Sequence, residues 1–394
     1  MSSVRSHLLS LRCLFFFAYG SLGVLFPFLP LFLAERGLDS VRISWVMVLI
    51  PAANLLVPPI WGTVADVLRA RLWLLRLACV GSGATIWMLL PSSSLWTCVI
   101  AVGVFAFFRM PLSSLADATA YRVLGGERVD YSTVRVWGSI GFASFVLLPG
   151  LLPDSMREVA VVAAASVLLL LAAASTSSMR APPRRREPGV VAQVIGFARR
   201  PGVLLVLIGS AVHYTGHSMY DAYYSLHLAR LGRGEGFVGI AWAVGVAVEI
   251  LVMLMAPRFI HLVSSGWLLA VCTAVAAGRW LLMSWATSLW ALLMIQPLQS
   301  ISFGLWFLGL VKHIQERAPD RLRTSLQSLA QASIGSGMVL GYLLGGRLLD
   351  EHGGAVLYQT AAGAAAVAFG LYVAACLVER TSAGRECASE RPLR

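Results

Sequence analysis

The chain has 394 residues, of which 58% are hydrophobic and 13% charged, and its mean hydropathy of +0.77 excludes an ordinary soluble globular domain. Its apolar residues gather in runs of about 20, the length with which a helix crosses a bilayer core of about 30 Å. Barrel strands would instead give alternating segments of about ten residues. We therefore predict an all-α integral membrane protein.

Twelve such runs follow one another along the chain, and we predict a transmembrane helix in each. The first run follows Arg5 and Arg12, but it is too long for a secretory signal and lacks a small-residue cleavage site, so a retained helix is expected. The predicted spans cover residues 10–34, 41–64, 72–90, 95–120, 135–152, 158–178, 202–226, 237–256, 266–285, 288–311, 324–348 and 355–378.

The basic residues explain the net charge of +12 as a matter of topology. If the N-terminus is cytoplasmic and residues near the ends of spans are counted with the adjoining segment, 23 of the 31 Lys and Arg lie on the cytoplasmic side and 6 on the outside, while Arg109 and Arg279 lie deep within spans. This is the positive-inside bias, so no nucleic-acid partner is expected. We predict a multi-pass protein of the inner (plasma) membrane with both termini in the cytoplasm.

The residue types that carry enzyme chemistry are not arranged in a recognisable motif. The six cysteines are scattered, without a Cys-x-x-Cys pair or a metal-ligand spacing, and no phosphate loop or nucleophile motif appears. We expect no enzyme, no cofactor and no metal. The expected partners are a small-molecule substrate, protons and the lipid bilayer, and a monomer is expected.

The longest polar interruption, residues 179–201, divides the spans into six plus six. It contains Ala-Pro-Pro-Arg-Arg-Arg-Glu-Pro-Gly, whose prolines and like charges argue against a packed helix. We predict an N-terminal six-helix bundle at 1–178, a cytoplasmic linker at 179–201, a C-terminal six-helix bundle at 202–380 and a cytoplasmic tail at 381–394.

The two halves resemble each other at an offset of 195 residues. Residues 33–37, Leu-Ala-Glu-Arg-Gly, align with 228–232, Leu-Ala-Arg-Leu-Gly, and Asn54 aligns with Glu249. Ser-Ile-Gly occurs at 139–141 and again at 333–335. Internal repeats of this kind are typical of transporters whose substrate site lies between two related bundles near the bilayer midplane.

Two motifs carry a resemblance to a known family. Residues 59–66, Pro-Ile-Trp-Gly-Thr-Val-Ala-Asp, followed by Arg69 and Arg71, resemble the loop motif of the major facilitator superfamily, although Arg69 replaces its later glycine. Residues 131–142, Tyr-Ser-Thr-Val-Arg-Val-Trp-Gly-Ser-Ile-Gly-Phe, resemble the fifth-span signature of the phenylpropionate permease and nucleoside:proton symporter branch, which is related to lactose permease. Further matches are Pro111-Leu112, Asp117, Glu249-Ile250, Arg279-Trp280 and Ser302-Phe303-Gly304.

This resemblance implies two pseudo-symmetric six-helix bundles and secondary active transport by alternating access. In that branch the tenth span usually carries a histidine before its Phe-Gly, and lactose permease has a histidine and a glutamate there for proton coupling. Here residues 296–304 read Gln-Pro-Leu-Gln-Ser-Ile-Ser-Phe-Gly, without either titratable group. Proton coupling would therefore need another route in this chain.

Three ionisable residues lie in the middle of predicted spans, where an isolated charge costs roughly 3 kcal/mol on insertion scales. Glu249 and Arg279 each lie roughly 18 to 20 Å from the face where their spans begin, so they can meet near the midplane. We interpret Glu249 as the proton-coupling carboxylate and Arg279 as a substrate-binding residue; the alternative is a permanent salt bridge that only packs two helices. Arg109 is predicted to bind an anionic substrate, or else to donate to carbonyls or to Asn54.

A polar stripe follows the predicted seventh span. His213, His217 and Asp221 are spaced i, i+4 and i+8, on one helix face, and histidine titrates near neutral pH. We predict that the stripe conducts protons to Glu249, with hydrogen-bonded helix packing as the alternative. Zinc binding by the His-x-x-x-His pair lacks a supporting context.

The remaining candidates are gating and cavity residues. Charged groups at predicted cytoplasmic ends, which would pair when that side closes, are Asp66, Arg69, Arg71, Asp117 and Arg135; their alternative is a static cap or topology signal. Polar and aromatic side chains predicted to line the cavity, with helix packing as the alternative for each, are Asn54, Tyr19, Gln296, Gln299, Gln331 and Trp306.

Together these features predict a proton-coupled symporter of a small organic solute, and the arginines favour an organic anion such as an aromatic carboxylate. One alternative is a proton-driven exporter of amphipathic compounds, which the many aromatic residues would suit. A second alternative is a non-transporting membrane sensor or a membrane-embedded enzyme.

Overall fold

The computed structural model describes residues 2–124, 131–177, 179, 191–319 and 322–389, and the side chain of Asp66 is among those outside the description. The described part is helical and contains no strand. Its first half consists of α1 (Ser2–Leu25), α2 (Leu29–Glu35), α3 (Ser40–Met47), α4 (Leu49–Val67), α5 (Arg71–Thr85), α6 (Leu95–Leu124), α7 (Ser132–Phe145) and α8 (Asp154–Ser175).

The second half begins with a short helix and continues with long ones. The helices are α9 (Val191–Ala198), α10 (Pro201–Arg230), α11 (Glu235–Met255), α12 (Ser265–Trp285), α13 (Leu289–Ile295), α14 (Trp306–Arg317), α15 (Arg323–Glu351) and α16 (Gly353–Ser389). Between α13 and α14 lie a 3-10 turn at Gln296–Leu298 and a π-helical turn at Ser300–Leu305. The predicted twelfth span therefore runs on, as α16, into the segment predicted to be a tail.

Eleven helical segments in the described residues are long and apolar enough to cross a membrane. The predicted seventh span is α10, which has 30 residues and is long enough but is not one of the eleven. Its polar stripe, which includes His213 and His217, lowers the hydropathy of its middle. The all-α, membrane-spanning fold class is confirmed.

Part of the predicted linker is a packed helix, so the expectation that prolines and charges keep this segment irregular is wrong for residues 191–198. Helix α9 buries Val194, Phe197 and Ala198 in an apolar cluster with helices of the second half. The spacing i, i+3 and i+4 puts these side chains on one helix face. Three of the linker's prolines lie upstream of α9 and Pro201 lies downstream of it, so none of them interrupts the helix.

The chain divides by contacts into two compact units that cross the boundary between its halves. The first unit comprises residues 1–185, 221–250 and 342–352, and the second comprises 186–220, 251–341 and 353–394. The first unit thus contains the whole N-terminal half together with residues 221–230 of α10, 235–250 of α11 and 342–351 of α15. The division of the sequence into six plus six spans stays a prediction.

The internal repeat has a counterpart in how helices pack. In the first unit a Cβ on Gly141 of α7 would overlap the carbonyl oxygen of Phe16 on α1. In the second unit a Cβ on Gly337 of α15 would overlap the carbonyl oxygen of Ala211 on α10. Phe16 and Ala211 are 195 residues apart, the offset of the repeat. Both pairs of helices therefore approach closely at a glycine.

The turn after α4 contains a left-handed residue that is not glycine. Arg69 has φ of 51°, and it stands where the loop motif of the resembling family has its glycine. An L-residue in this region costs roughly 1 to 2 kcal/mol because its Cβ approaches the following carbonyl. The substitution therefore puts strain into this loop.

We expect Gly141→Ala to destabilise the protein by roughly 1 to 3 kcal/mol, because the added methyl forces α1 and α7 apart. Gly363→Ala is the matched control, since a Cβ at Gly363 meets nothing within 4 Å. That change should be neutral or stabilising because alanine favours a helix interior. Thermal unfolding of the purified protein measures both; equal unfolding temperatures would contradict the close packing.

We expect Arg69→Gly to stabilise the protein by about 1 kcal/mol, because glycine adopts a positive φ without a steric cost. Arg71→Gly, at the first residue of α5, is the control and should destabilise or have no effect. The measurement is again thermal unfolding. A lower unfolding temperature for Arg69→Gly than for the wild type would show that the turn is not strained.

Candidate functional site

In the second unit the side chain of Arg279 is fully buried among rings and neutral oxygen atoms. Its guanidinium carbon lies 4.4 Å from the ring centre of Tyr220 and 4.3 Å from that of Trp280. Its Nη1 donates to Oε1 of Gln299 and, at 3.2 Å, to Oγ of Ser302. Cation–π contacts and charge-assisted hydrogen bonds thus replace part of the water that solvates an exposed arginine.

Gln296 joins the same cluster and is itself fully buried. Its Oε1 accepts from the hydroxyl of Tyr220 at 2.8 Å and from Nη2 of Arg279 at 3.5 Å, while its Nε2 donates to the carbonyl of Leu292 at 2.9 Å. The structure thus brings together three predicted site residues, Arg279, Gln296 and Gln299. Sequence reasoning missed Tyr220, which lies on the face of α10 next to His217.

His213 and His217 are buried in a stack of aromatic rings. His213 lies parallel to Trp306 with ring centres 4.3 Å apart, and His217 lies parallel to Phe303 at 5.2 Å. The Nε2 of His213 lies 3.1 Å from the carbonyl oxygen of Ser302, within the π-helical turn. In a π-helical turn each backbone carbonyl pairs with the N–H five residues later instead of four. The carbonyl of Ser302, within this turn, has the ring of His213 as a side-chain partner. The predicted proton path along this stripe stays a prediction.

In the first unit Arg109 is buried in the bundle, with 2% of its surface exposed. Its Nη2 donates to the carbonyl oxygen of Ala18 on α1 at 2.9 Å, and it interacts electrostatically with Tyr19 and Cys79. The contact with a carbonyl is the alternative that the sequence left open for Arg109. In this arrangement a solute would reach the guanidinium only after neighbouring side chains move.

Arg135 is a second arginine of the first unit, and it is only half-buried. Its guanidinium carbon lies 4.1 Å from the ring centre of Tyr19, and it interacts electrostatically with Asp117 and Glu249. Asp117 in turn accepts a hydrogen bond of 2.6 Å from the hydroxyl of Tyr131. The structure therefore places Arg135, which was predicted to be a gating residue, within electrostatic reach of Glu249, the predicted proton-coupling carboxylate.

Gly138 makes room for this arrangement. A Cβ at Gly138 would lie 2.8 Å from Nη1 of Arg135 and 3.0 Å from the ring of Tyr19. The fifth-span signature thus supplies both the cation and the small residue one turn later that lets it stack on Tyr19. The motif at residues 131–142 was the only sequence signal for this site. It could not point to Tyr19, which lies more than 100 residues away in the sequence.

Two ion-pair groups of the first unit lie at helix ends predicted to face outside and join the two halves of the chain, and sequence reasoning missed both. Arg230 of α10 donates to Oδ1 of Asp350 at 2.7 Å and to Oγ of Ser40 at 2.8 Å. Arg157 of α8 pairs with Glu235 of α11 at 3.0 Å. Each group joins a helix of the N-terminal half to a helix of the C-terminal half.

Other predicted residues lie apart from these clusters. Asn54 and Gln331 are exposed, as is the side chain of Arg69 on the turn after α4. The side chain of Asp66 lies outside the described residues, so its predicted gating contact stays a prediction. Among the described residues no group of three or more His, Cys, Asp or Glu could hold a metal ion.

We expect Arg279→Lys to destabilise the protein by roughly 2 to 3 kcal/mol, because lysine cannot keep both the ring contacts and the forked hydrogen bonds of the guanidinium. Arg317→Lys is the control: its pair with Glu379 is partly exposed, so the change should cost less than about 1 kcal/mol. Thermal unfolding of the two variants measures the difference. Equal losses would show that the buried cluster contributes no special stability.

Comparisons with known proteins agree with these observations. A maltose permease from Geobacillus stearothermophilus is 28% identical over 343 residues, 86% of this chain and 86% of that protein. A probable 3-phenylpropionic acid transporter from Escherichia coli (strain K12) is 23% identical over 246 residues, 56% of this chain and 59% of that protein.

The fold is similar to that of a solved membrane protein. The crystal structure of the nucleoside transporter NupG superposes with a TM-score of 0.81 and 16% identity, covering 94% of this chain and 98% of the other. Residues 8–360 match the family model described as MFS_1 like family. With this match over most of its length, the chain belongs to the MFS_1 like family of the major facilitator superfamily and is a multi-pass membrane transporter.

Proposed function

We propose that the chain is a proton-coupled symporter that carries a small organic solute by alternating access, in the inner (plasma) membrane and with both termini in the cytoplasm. The observation that supports coupling is the electrostatic interaction between Glu249 and Arg135. Glu249 lies on α11 of the C-terminal half and Arg135 on α7 of the N-terminal half. A proton on Glu249 therefore changes an attraction between helices of the two halves.

The coupling step follows from charge. When Glu249 is ionised, it attracts the guanidinium of Arg135, and protonation removes that attraction. The guanidinium of Arg135 can then donate hydrogen bonds to an anionic group of a solute, which it binds through two parallel N–H groups. Proton and solute would thus bind together, because each weakens the same electrostatic attraction. His213, His217 and Asp221 are the proposed route by which protons arrive.

For the solute we propose an organic anion such as an aromatic carboxylate. The half-buried Arg135 supplies the cation, and Tyr19 together with the exposed ring of Trp137 supplies surfaces for an aromatic group. The 3-phenylpropionic acid relative is consistent with this chemistry. Arg109 and Arg279 are more deeply buried, so we propose that they contact the solute only after the surrounding side chains move.

A neutral sugar is the second candidate, and the maltose permease relative favours it. The amide groups of Gln296 and Gln299 and the nearby rings are side chains that recognise hydroxyl groups and sugar faces. In that case protonation of Glu249 would still weaken its attraction to Arg135. A neutral solute, however, has no carboxylate to offer Arg135 in place of Glu249.

Alternating access requires contacts between the halves to form and break on each side in turn. We propose that the groups around Arg230–Asp350 and Arg157–Glu235 are such contacts on the outside. On the cytoplasmic side we propose that charged residues of the N-terminal half form such contacts with the C-terminal half when that side closes, namely Asp66, Arg69, Arg71, Asp117 and Arg135. Partly exposed pairs contribute only about 1 kcal/mol or less each, so breaking them does not require a large energy input.

We expect uptake of a labelled aromatic carboxylate into proteoliposomes to rise when an inward proton gradient is imposed. Glu249→Gln should abolish the response to the gradient while exchange of solute across the membrane persists, because the side chain no longer titrates. Glu351→Gln removes an exposed carboxylate at the end of α15 and should behave like the wild type. Uptake that ignores both the gradient and Glu249→Gln would contradict proton coupling.

The same assay distinguishes the solutes and the direction of transport. If unlabelled maltose or nucleosides compete for uptake and carboxylates do not, the transported solute is neutral and the anion proposal is wrong. Proton-driven accumulation of amphipathic compounds in inverted vesicles would favour an exporter instead. Failure to transport any of these solutes, in protein that folds normally, would favour a sensor or a membrane-embedded enzyme.

A further inference from the structure

A groove in the second unit lies between the linker helix α9 and the helices α10 and α15. We call it the linker groove; its wall includes Ile195 of α9, Arg199 directly after α9, Ile208 of α10, and Ser333 and Ser336 of α15. Its volume is about 450 Å³. The predicted transport cycle does not use it, and none of its lining residues belongs to the clusters around Arg135 or Arg279.

The wall of the linker groove is almost entirely apolar. Ile195 and Ile208 are 47% and 44% exposed, so the groove offers accessible apolar surface to an occupant. The hydroxyl of Ser336 donates to the carbonyl of Ala332 in its own helix at 2.9 Å. An occupant therefore meets methyl and methylene groups along most of the groove, and a polar solute would lose hydrogen bonds there.

The groove reaches about as far along α10, from the start of that helix, as one leaflet of a bilayer is thick. On α10 its wall extends from Leu204 to Val212, and α10 begins at Pro201. At 1.5 Å per residue the groove therefore reaches roughly 16 Å from the start of the helix. Half of a bilayer core is about 15 Å thick, which is the depth that one lipid chain covers.

The end of the groove nearest the start of α10 is basic. Arg199 lines it, and Arg200 follows with its guanidinium carbon 4.5 Å from the ring centre of Phe197. Between Met179 and Arg200 the sequence has six arginines and only one acidic residue, Glu187. Arginines clustered beside a cytoplasmic amphipathic helix are typical of sites for anionic lipid headgroups.

We propose that the linker groove binds one anionic phospholipid, with an acyl chain along α10 and α15 and the headgroup phosphate at Arg199. The burial of methylene groups supplies the affinity, and the charge of the headgroup supplies the preference for acidic lipids. A bound lipid holds α9 against α10 and α15. The bound lipid thereby adds to the contacts that attach the linker to the second unit.

The test uses the full chain in nanodiscs of phosphatidylcholine that contain a small fraction of phosphatidylglycerol with a photoreactive acyl chain. We expect the label on peptides of α9, α10 and α15. Ser336→Trp, which fills the groove, should reduce this labelling about tenfold. Leu340→Trp, one turn further along α15, 53% exposed and outside the groove wall, should leave it unchanged.

A second pair of variants tests the headgroup. Arg199→Gln should reduce the preference for phosphatidylglycerol over equally labelled phosphatidylcholine about fivefold. Arg258→Gln removes an exposed charge elsewhere and should keep the preference. If Ser336→Trp does not fold, as judged by thermal unfolding, Ile208→Trp replaces it.

Three results would overturn the proposal. One is unchanged labelling in a folded groove-filling variant, and another is an unchanged headgroup preference in Arg199→Gln. The third is loss of the label when a transported solute is added, because the groove would then belong to the path of the solute.

Discussion

A guanidinium inside an apolar bundle must be solvated by the protein itself, and this constraint organises the interior of both units. In the second unit the two rings, two amides and one hydroxyl around Arg279 come from α10, α12 and the broken tenth span. In the first unit Arg109 of α6 takes a backbone carbonyl of α1. Each arginine therefore holds particular helices together, because moving any of them leaves part of its charge without a partner.

The arginines differ in how far they can respond to a change. Arg109 and Arg279 are 2% and 0% exposed, whereas Arg135 is half-buried and interacts with two carboxylates, those of Asp117 and Glu249. A buried network costs too much to break in each transport cycle, since a single unpaired buried charge is worth several kcal/mol. A partly exposed pair whose acid can take a proton costs much less. The division between fixed and changeable charge is the physical basis of the proposed coupling.

Much of the fold could be predicted from the sequence, because span length and hydropathy are local properties. The repeat at an offset of 195 residues was also visible, and Gly37 and Gly232, which occupy equivalent positions in it, have φ of 75° and 72°. Three segments differ from the prediction, each for a local reason that hydropathy along the sequence does not reveal. Helix α9 follows a segment rich in proline, and α10 carries a polar stripe that lowers its hydropathy. The tenth span changes from a 3-10 to a π-helical turn after Pro297.

The sequence by itself determined that the chain crosses a membrane many times and that Arg109, Glu249 and Arg279 are placed at costly depths. Both follow from the free energy of moving residues into hydrocarbon, which depends on residue type and position along a span. Only the tertiary structure decided the partners, which are Tyr220 and Gln299 for Arg279 and the carbonyl of Ala18 for Arg109, and it also brought Arg135 within electrostatic reach of Glu249. These pairs depend on how each helix is rotated and how closely neighbours approach. Periodicity along one helix carries no information about the helix that faces it.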